Sequence, residues 1–392
     1  MPPDLERKNL VDSSEGLEAD SVSSGNAIKS TSIPLGRSIR LLISSSLLGN
    51  GSVCTQSLRG IKATFTIGMD DAYDYSILEG MDPDDLHAEF KTYVADVAKF
   101  LKTSVSKENT LDQYFTDMLA RMVFNSNMIE NAGGGYDITF KLCKEVFDGN
   151  VVEDIIERHP DYEAHKRDLV RKNLPTGMDA VLRSRREIVQ HAKATSYIFQ
   201  SICIKGNDLT EEIILETHRI LAHKVNTEDG TSWTQYAGVY RQCPVMAGLH
   251  QYMDHGRVPS AMKTMIRDLE TDIQAAVETG EIDPVALAAK YCHIFVNIHP
   301  FLDGNGRMCR LILNAILLKY GGGLVCIGED GKDRDEYEKI AVSASFKEAS
   351  HQDDDYEGVP ESMKPKPYKE LASFTLRHAR NNMRKVFHRH RS

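Results

Sequence analysis

Beyond residue 80, apolar positions recur at helical spacing over most of the chain. From Met81 to Lys99, the residues Leu86, Phe90, Tyr93, Val94 and Val97 fall on one face of a helix, with Asp82 placed to cap it and Pro83 in its first turn. A second helix is predicted from about Leu111 to Glu130. It stops before Ala132-Gly133-Gly134-Gly135, because three glycines in a row give the chain no preference for helical torsions. Further helical patterns cover about 138–147, 150–171, 177–203 and 209–224, the last opened by Thr210 with Glu211 and Glu212 in its first turn. Pro259 starts a helix to about Glu278, and Asp283-Pro284 opens another that continues to Ile298, an N-cap followed by proline at the first helical position.

The helical period fails in two places. Between Gly238 and Pro259, Val239, Tyr240, Val245, Met246 and Val258 lie among Gly, Pro and Gln, as in a short β-hairpin. Residues 1–65 are rich in Ser, Gly, Asn and Thr with little periodicity and are expected to be a flexible leader, too poor in apolar surface to offset the entropy of ordering. The fold class expected is mainly α with a small β-hairpin. The chain divides into this leader, an N-terminal helical region over 66–180, a core over 181–345, and an acidic loop with a basic helical tail over 346–392.

Composition adds exclusions. The chain has 392 residues, 41% hydrophobic and 27% charged, close to soluble globular averages. A net charge of -10 argues against a chain-wide nucleic-acid surface, so no nucleic-acid partner is expected. The basic side chains Arg377, Arg380, Arg384, Lys385, Arg389 and Arg391 read as a solvated helix face rather than a phosphate-binding patch. Seven cysteines without C-x-x-C spacing indicate neither a disulfide framework nor a zinc site. The first twenty residues are acidic and lack an apolar signal region. The stretch Ile39 to Leu48, broken by serines, is far shorter than the roughly 20 residues that span a bilayer. A cytoplasmic setting without a membrane partner is the expectation.

The chemistry concentrates in His299-Pro300-Phe301-Leu302-Asp303-Gly304-Asn305-Gly306-Arg307-Met308-Cys309-Arg310. Pro300 ends one helix, and Gly304 and Gly306 permit the tight turn into the next, which runs from Asn305 to about Tyr320. The N-terminus of such a helix presents several N–H donors and the positive end of its dipole, an anion site. Arg307, Arg310 and Asn314 fall within roughly 60° of one another around that helix. Asp303 can hold Mg²⁺ through a hard oxygen, and His299 is placed to take a proton from an attacking hydroxyl.

This segment resembles the signature of the Fic family, H-P-F-x-[DE]-G-N-G-R-x-x-R, at every fixed position. The resemblance extends over about 180–345, where Gly238-Val239-Tyr240-Arg241 is similar to the family's G-x-Y-R lead into a hairpin flap. It implies a Fic-type helical bundle that transfers AMP from ATP to a hydroxyl of a target protein, with self-modification and a homodimer also within the family's range. In that reading His299 is the general base and Asp303 the Mg²⁺ ligand. Gly304, Asn305 and Gly306 are the backbone anion cradle, Arg307 holds the ATP phosphates, and Arg310 holds the γ-phosphate. Asn314 and Tyr337 contact the nucleoside, and the flap residues Pro244, Val245, Met246 and Val258 pair with an extended target segment. Gly306 stands where the phosphate-transferring Doc branch has Lys, which favours AMP transfer. Transfer of another nucleotide or phosphate-bearing group, or a chiefly protein-binding module, are the alternatives.

A second segment, Ser126-Asn127-Met128-Ile129-Glu130-Asn131, resembles the family's inhibitory motif [ST]-x-x-x-E-[GN], here N-terminal to the core. Ser126 and Glu130 are one helical turn apart. The resemblance implies that Glu130 pairs with Arg310 and takes it from the γ-phosphate; the same carboxylate could serve removal of AMP, and the sequence does not rank the two directions. The stretch over about 150–180, including Asp154, Glu157 and Arg158, is an insertion relative to compact members of the family.

Overall fold

The computed structural model describes residues 33–45, 72–103, 108–247, 250–350 and 364–389. Most of the expected leader therefore lies outside the described residues, but its segment Leu35–Ser45 forms helix α1 and corrects the expectation there. Leu35, Ile39, Leu42 and Ile43 recur at helical spacing and are all buried, so the serines between them mark only the outer face. Gly36 sits so close to the next layer that a Cβ would lie 2.3 Å from Thr116 Oγ1 and 2.6 Å from the Asp112 carbonyl.

Helix α2 (Pro83–Thr103) and helix α3 (Glu108–Ile129) both pack against α1. The three glycines then turn the chain into α4 (Tyr136–Phe147), which lies along α3. The helix expected over 150–171 begins only at Pro160: α5 (Pro160–Arg171) has the proline in its first turn and the His159 side chain accepting from the Asp161 N–H. Proline cannot continue a preceding helix, and residues 151–156 are irregular.

Helix α6 (Met178–Phe199) passes into a π-helical turn at Gln200–Ile204. Helix α7 (Glu211–Leu221), capped by Thr210 on the Ile213 N–H, packs on α6. After the short α8 (Trp233–Tyr236) comes the hairpin, β1 (Met246–Ala247) antiparallel to β2 (His250–Gln251), with Met246 opposite Gln251 and Ala247 opposite His250.

Helix α9 (Val258–Thr279) leads to α10 (Pro284–Ile298), whose N-cap Asp283 accepts from the Val285 and Ala286 N–H groups. Helix α11 (Asn305–Gly321) packs along α10 and is buried over nearly its whole length. A helix enclosed on all sides is apolar all round; the buried polar exceptions, Asn305, Arg307, Arg310, Asn314 and Lys319, are therefore conspicuous. Helices α12 (Gly331–Ser350) and α13 (Lys369–Arg389) complete the order, α13 lying against α2.

The C-terminal basic face is not simply solvated. Arg377 bonds both Glu336 oxygens at 2.6 Å and the Ile77 carbonyl at 3.0 Å, Arg380 lies 3.4 Å from Glu89, and Lys385 pairs with Glu329. Arg391 lies outside the described residues. Among the described residues, no helix is long and apolar enough to cross a membrane.

Candidate active site

The loop between α10 and α11 is shaped by its own side chains. His299 closes α10 in the left-handed conformation (φ 49°, ψ 61°), and Gly304 repeats that conformation (φ 81°) as α11 begins. Between them, the buried Asn305 accepts from the Phe301 N–H at 2.9 Å and donates to the Phe301 carbonyl at 2.8 Å. Its side chain thus locks the turn, leaving its backbone for the cradle. No side chain caps α11, so its first N–H groups face the loop as anion donors.

His218 on α7 holds this loop from below. Its ring stacks on Phe301 at 3.6 Å, its Nδ1 accepts from the Gly238 N–H at 2.9 Å, and its Nε2–H donates to the Asp303 carbonyl at 2.9 Å. One acceptor and one donor fix the neutral tautomer, and burial pushes its pKa down to about 4. Gly238 has φ 72° and approaches the Arg219 side chain and the Leu215 carbonyl so closely that a Cβ would lie within 2.9 Å of both.

His299 is held in the same protonation state by different means. Its Nδ1 lies 3.1 Å from the Val296 carbonyl, which can only accept, so the proton is on Nδ1 and Nε2 keeps its lone pair. Burial, aided by the nearby Arg241 charge, pushes its pKa down to about 4. The Tyr252 ring stacks on it at 3.7 Å. Buried Arg241 ties the flap to the loop: Nε donates to the His299 carbonyl at 2.7 Å, Nη1 to Cys243 at 3.0 Å, and Nη2 to Met253, while its backbone N–H donates to the Pro300 carbonyl at 2.9 Å.

On α11, Arg307 is buried with its Nη2 3.5 Å from Asp303 Oδ2 and its Nε without a partner. Asp303 Oδ1 accepts from the Gly304 N–H at 2.6 Å, leaving Oδ2 toward Arg307, and its side chain is about a third exposed. Arg310, one turn on, is held through Nε and Nη2 by the end of α3 and the residue after it. Its Nε donates to Ser126 Oγ at 2.8 Å, and its Nη2 donates to the Ser126 carbonyl at 2.9 Å and to Glu130 Oε1 at 2.7 Å. Burial works against the guanidinium charge, but Glu130 and the Tyr337 ring environment outweigh it and its pKa is raised. The Glu130 carboxylate lies over Gly306, where a Cβ would meet Oε1 at 2.2 Å. Asn131 follows in the left-handed conformation, φ 50°, as the chain leaves α3.

The structure thus brings together His299, Asp303, Gly304, Asn305, Gly306, Arg307, Arg310, Ser126 and Glu130. A cavity of about 850 Å³ adjoins them, lined by Glu130, Arg183, Glu187, Asp229, Asp303 and Arg307 among others. Two expected nucleoside contacts sit differently. The Asn314 amide is buried and spent on the fold, donating to the Arg310 carbonyl at 3.1 Å and accepting from the Val325 N–H at 2.8 Å. Buried Tyr337 lies beneath Arg310, whose guanidinium is 5.7 Å from its ring centre. In the flap, Pro244 and Met246 are exposed and Val245 is half-buried with its carbonyl accepting from the Tyr252 N–H at 3.3 Å. Val258 does not belong with them: it is fully buried as the first residue of α9, so its side chain packs in the core and cannot meet a target.

Three functional-looking residues carried no role in the sequence reading. His218 and His191 look like ordinary helical histidines, and Arg241 was visible only as part of a motif. His191 Nδ1–H donates to Asn127 Oδ1 at 2.8 Å, and the ring is held neutral by burial first and then by Arg307 and Arg310. The only available signal was a polar residue on an otherwise apolar helix face.

The Fic/DOC family model matches residues 208–317. A Fido domain-containing protein of Dictyostelium discoideum is 39% identical over 84 residues, which cover 21% of this chain and 56% of that protein. The protein adenylyltransferase Fic of Nematostella vectensis is 31% identical over 155 residues, covering 38% of this chain and 33% of that protein. The chain thus spans less than two thirds of either relative. Among solved structures, a Fic domain containing signaling protein from Bacteroides thetaiotaomicron superposes with a TM-score of 0.52 at 19% identity, covering 78% of this chain and 95% of that one.

Proposed function

Because the chain belongs to the Fic/DOC family, we propose that it transfers AMP from ATP to a Ser, Thr or Tyr hydroxyl of a target protein and that Glu130 restrains this activity. The observation that carries the proposal is the convergence at one uncapped helix N-terminus of a neutral His299, Asp303, and two buried arginines, one of them held by Glu130.

The α- and β-phosphates of ATP sit on the N–H groups of α11, with Arg307 contributing its unpartnered Nε. Arg310 takes the γ-phosphate once Glu130 withdraws. The target hydroxyl approaches along the flap edge at Met246, and its proton passes to His299 Nε2 as its oxygen bonds to the α-phosphorus. The bond from that phosphorus to the bridging oxygen breaks, and pyrophosphate leaves. Arg241 and His218 touch no reacting atom; they position His299 and Asp303 through the loop carbonyls.

Asp303 fits the part of a Mg²⁺ ligand, since it offers one carboxylate oxygen on a partly exposed side chain beside the phosphate site, and Mg²⁺ typically takes one or two carboxylates together with substrate phosphates. When bound, the ion would neutralise charge on the phosphate oxygens.

With Glu130 on Arg310, the γ-phosphate loses its clamp and ATP binds without its α-phosphorus in line for attack. The placement of the same carboxylate over Gly306 also suits orienting a water toward an AMP-modified hydroxyl, the reverse direction. The test is incubation with ATP labelled on the α- or the γ-phosphate. AMP transfer requires the α-label alone to reach protein and His299→Ala to abolish it. Incorporation of the γ-label, or a better yield from GTP, UTP or CDP-choline, would assign another group transfer.

A further inference from the structure

The turn that follows Glu130 is held from outside by the inserted stretch. Lys172, at the end of α5, donates to three successive carbonyls, those of Asn131 at 3.3 Å, Ala132 at 2.8 Å and Gly133 at 2.9 Å. Asp168 Oδ2, one turn earlier on α5, accepts from the Gly135 N–H at 2.7 Å, and Glu187 Oε2 on α6 accepts from the Gly133 N–H at 2.7 Å. Asp168 is itself steadied by Arg171 at 3.0 Å and Glu187 by Arg183 at 2.9 Å. Gly135 is what lets Asp168 in, and Gly133 is crowded by its own neighbours. A Cβ at Gly135 would lie 2.8 Å from Asp168 Oδ2, and one at Gly133 would lie 3.1 Å from both Asn127 Nδ2 and the Ile188 side chain.

The three glycines therefore form a gripped turn rather than a loose hinge. Backbone carbonyls just past the end of a helix have no partner within it and favour a cation. Lys172 supplies that cation with three donors, which match three converging carbonyls. Glu130 is the residue immediately before this grip, and its side chain reaches Arg310 at 2.7 Å only if the end of α3 keeps its place.

We propose that Lys172, with Asp168, is a positioning residue for Glu130, so that the α5 insertion sets how firmly Arg310 is withheld from ATP. The proposal rests on the restraint described above. Loss of the Lys172 contact frees the 131–133 turn, lets α3 fray from its C-terminal end, and releases the Glu130–Arg310 pair without altering His299 or the α11 cradle.

The test uses the full chain with Lys172→Met, Glu130→Gly and both together, and Arg167→Met on the exposed side of α5 as a control. Two readouts are taken: AMP incorporation from α-labelled ATP, and amide hydrogen exchange over residues 126–135. Lys172→Met should raise incorporation by at least about fivefold, the low end of ordinary site-to-site coupling. It should add nothing in the Glu130→Gly background and should speed exchange over 130–133, while Arg167→Met changes neither. An equal rise with and without Glu130 would overturn the proposal, as would unchanged exchange. If exchange quickens but Glu130→Gly itself leaves incorporation unaltered, the positioning of Glu130 stands and the restraint reading fails.

Discussion

Arg310 Nη2 lies 2.7 Å from Glu130 Oε1, a contact between residues 180 positions apart that joins the helix before the three glycines to the helix that follows the His299 loop. The same guanidinium also bonds the Ser126 hydroxyl and carbonyl, so two residues one helical turn apart at the end of α3 occupy most of its donors. A phosphate that needs the Nη2 donors of Arg310 must displace Glu130 and the Ser126 carbonyl.

Ser126→Ala removes the hydroxyl acceptor. The Nε donor of a buried guanidinium then loses its acceptor, at a cost of about 1.5 kcal/mol for a charged hydrogen bond. Basal AMP incorporation should rise roughly tenfold, less than with Glu130→Gly, since the carboxylate remains. Labelled incorporation at limiting ATP checks this; an unchanged rate would remove Ser126 from the restraint.

Arg241→Ala should leave the carbonyls of Cys243, Met253 and His299 without their donor, lowering stability by about 3 kcal/mol and kcat with it. Arg241→Lys should recover part of the stability but little activity, because an ammonium cannot span the flap and the loop as a planar fork does. Thermal melting and single-turnover transfer in the Glu130→Gly background separate the two effects. A full recovery by lysine would show that only charge matters there.

The buried histidines give a pH dependence with a definite sign. His299 and His218 have pKa values near 4 in the fold, pushed down by burial from an ordinary value near 6.5. Between those limits the unfolded chain binds the protons and the folded chain does not, so stability falls as pH drops from about 6.5 to 4 and is insensitive to them above that window. Melting curves from pH 7 to pH 4 should show this slope, shallower in His299→Ala. The transfer rate should not fall through pH 6.5 on account of His299, since the base is already neutral there.

Helix α1 offers a test of packing. Gly36→Ala would place a methyl against Thr116 and the Asp112 backbone, and should lower stability by about 2 kcal/mol, measured by denaturant unfolding. No loss would mean that α1 does not seat on α3 as described.

Much of this was legible because the chemistry is local. Twelve consecutive residues carry the loop, the cradle and both arginines, and helical periodicity placed α2, α3, α9, α10 and α11 closely. What escaped depends on contacts between distant segments. The apolar stripe of α1 is only four residues wide among serines, and its meaning appears only once α3 covers it. Val258 shares the β-branched character of a flap residue, yet Pro259 behind it makes it the start of a buried helix. His218, Arg241 and Lys172 act through backbone carbonyls on other elements, and no spacing rule in a single sequence points to a partner of that kind.

The central claim is that Glu130 withholds Arg310 from ATP, and the most direct measurement is AMP incorporation from α-labelled ATP by Glu130→Gly beside the unaltered chain and the Glu130→Gly, His299→Ala double variant. The account predicts a strong rise in the single variant and none above background in the double. Equal incorporation by the unaltered chain and Glu130→Gly would contradict it.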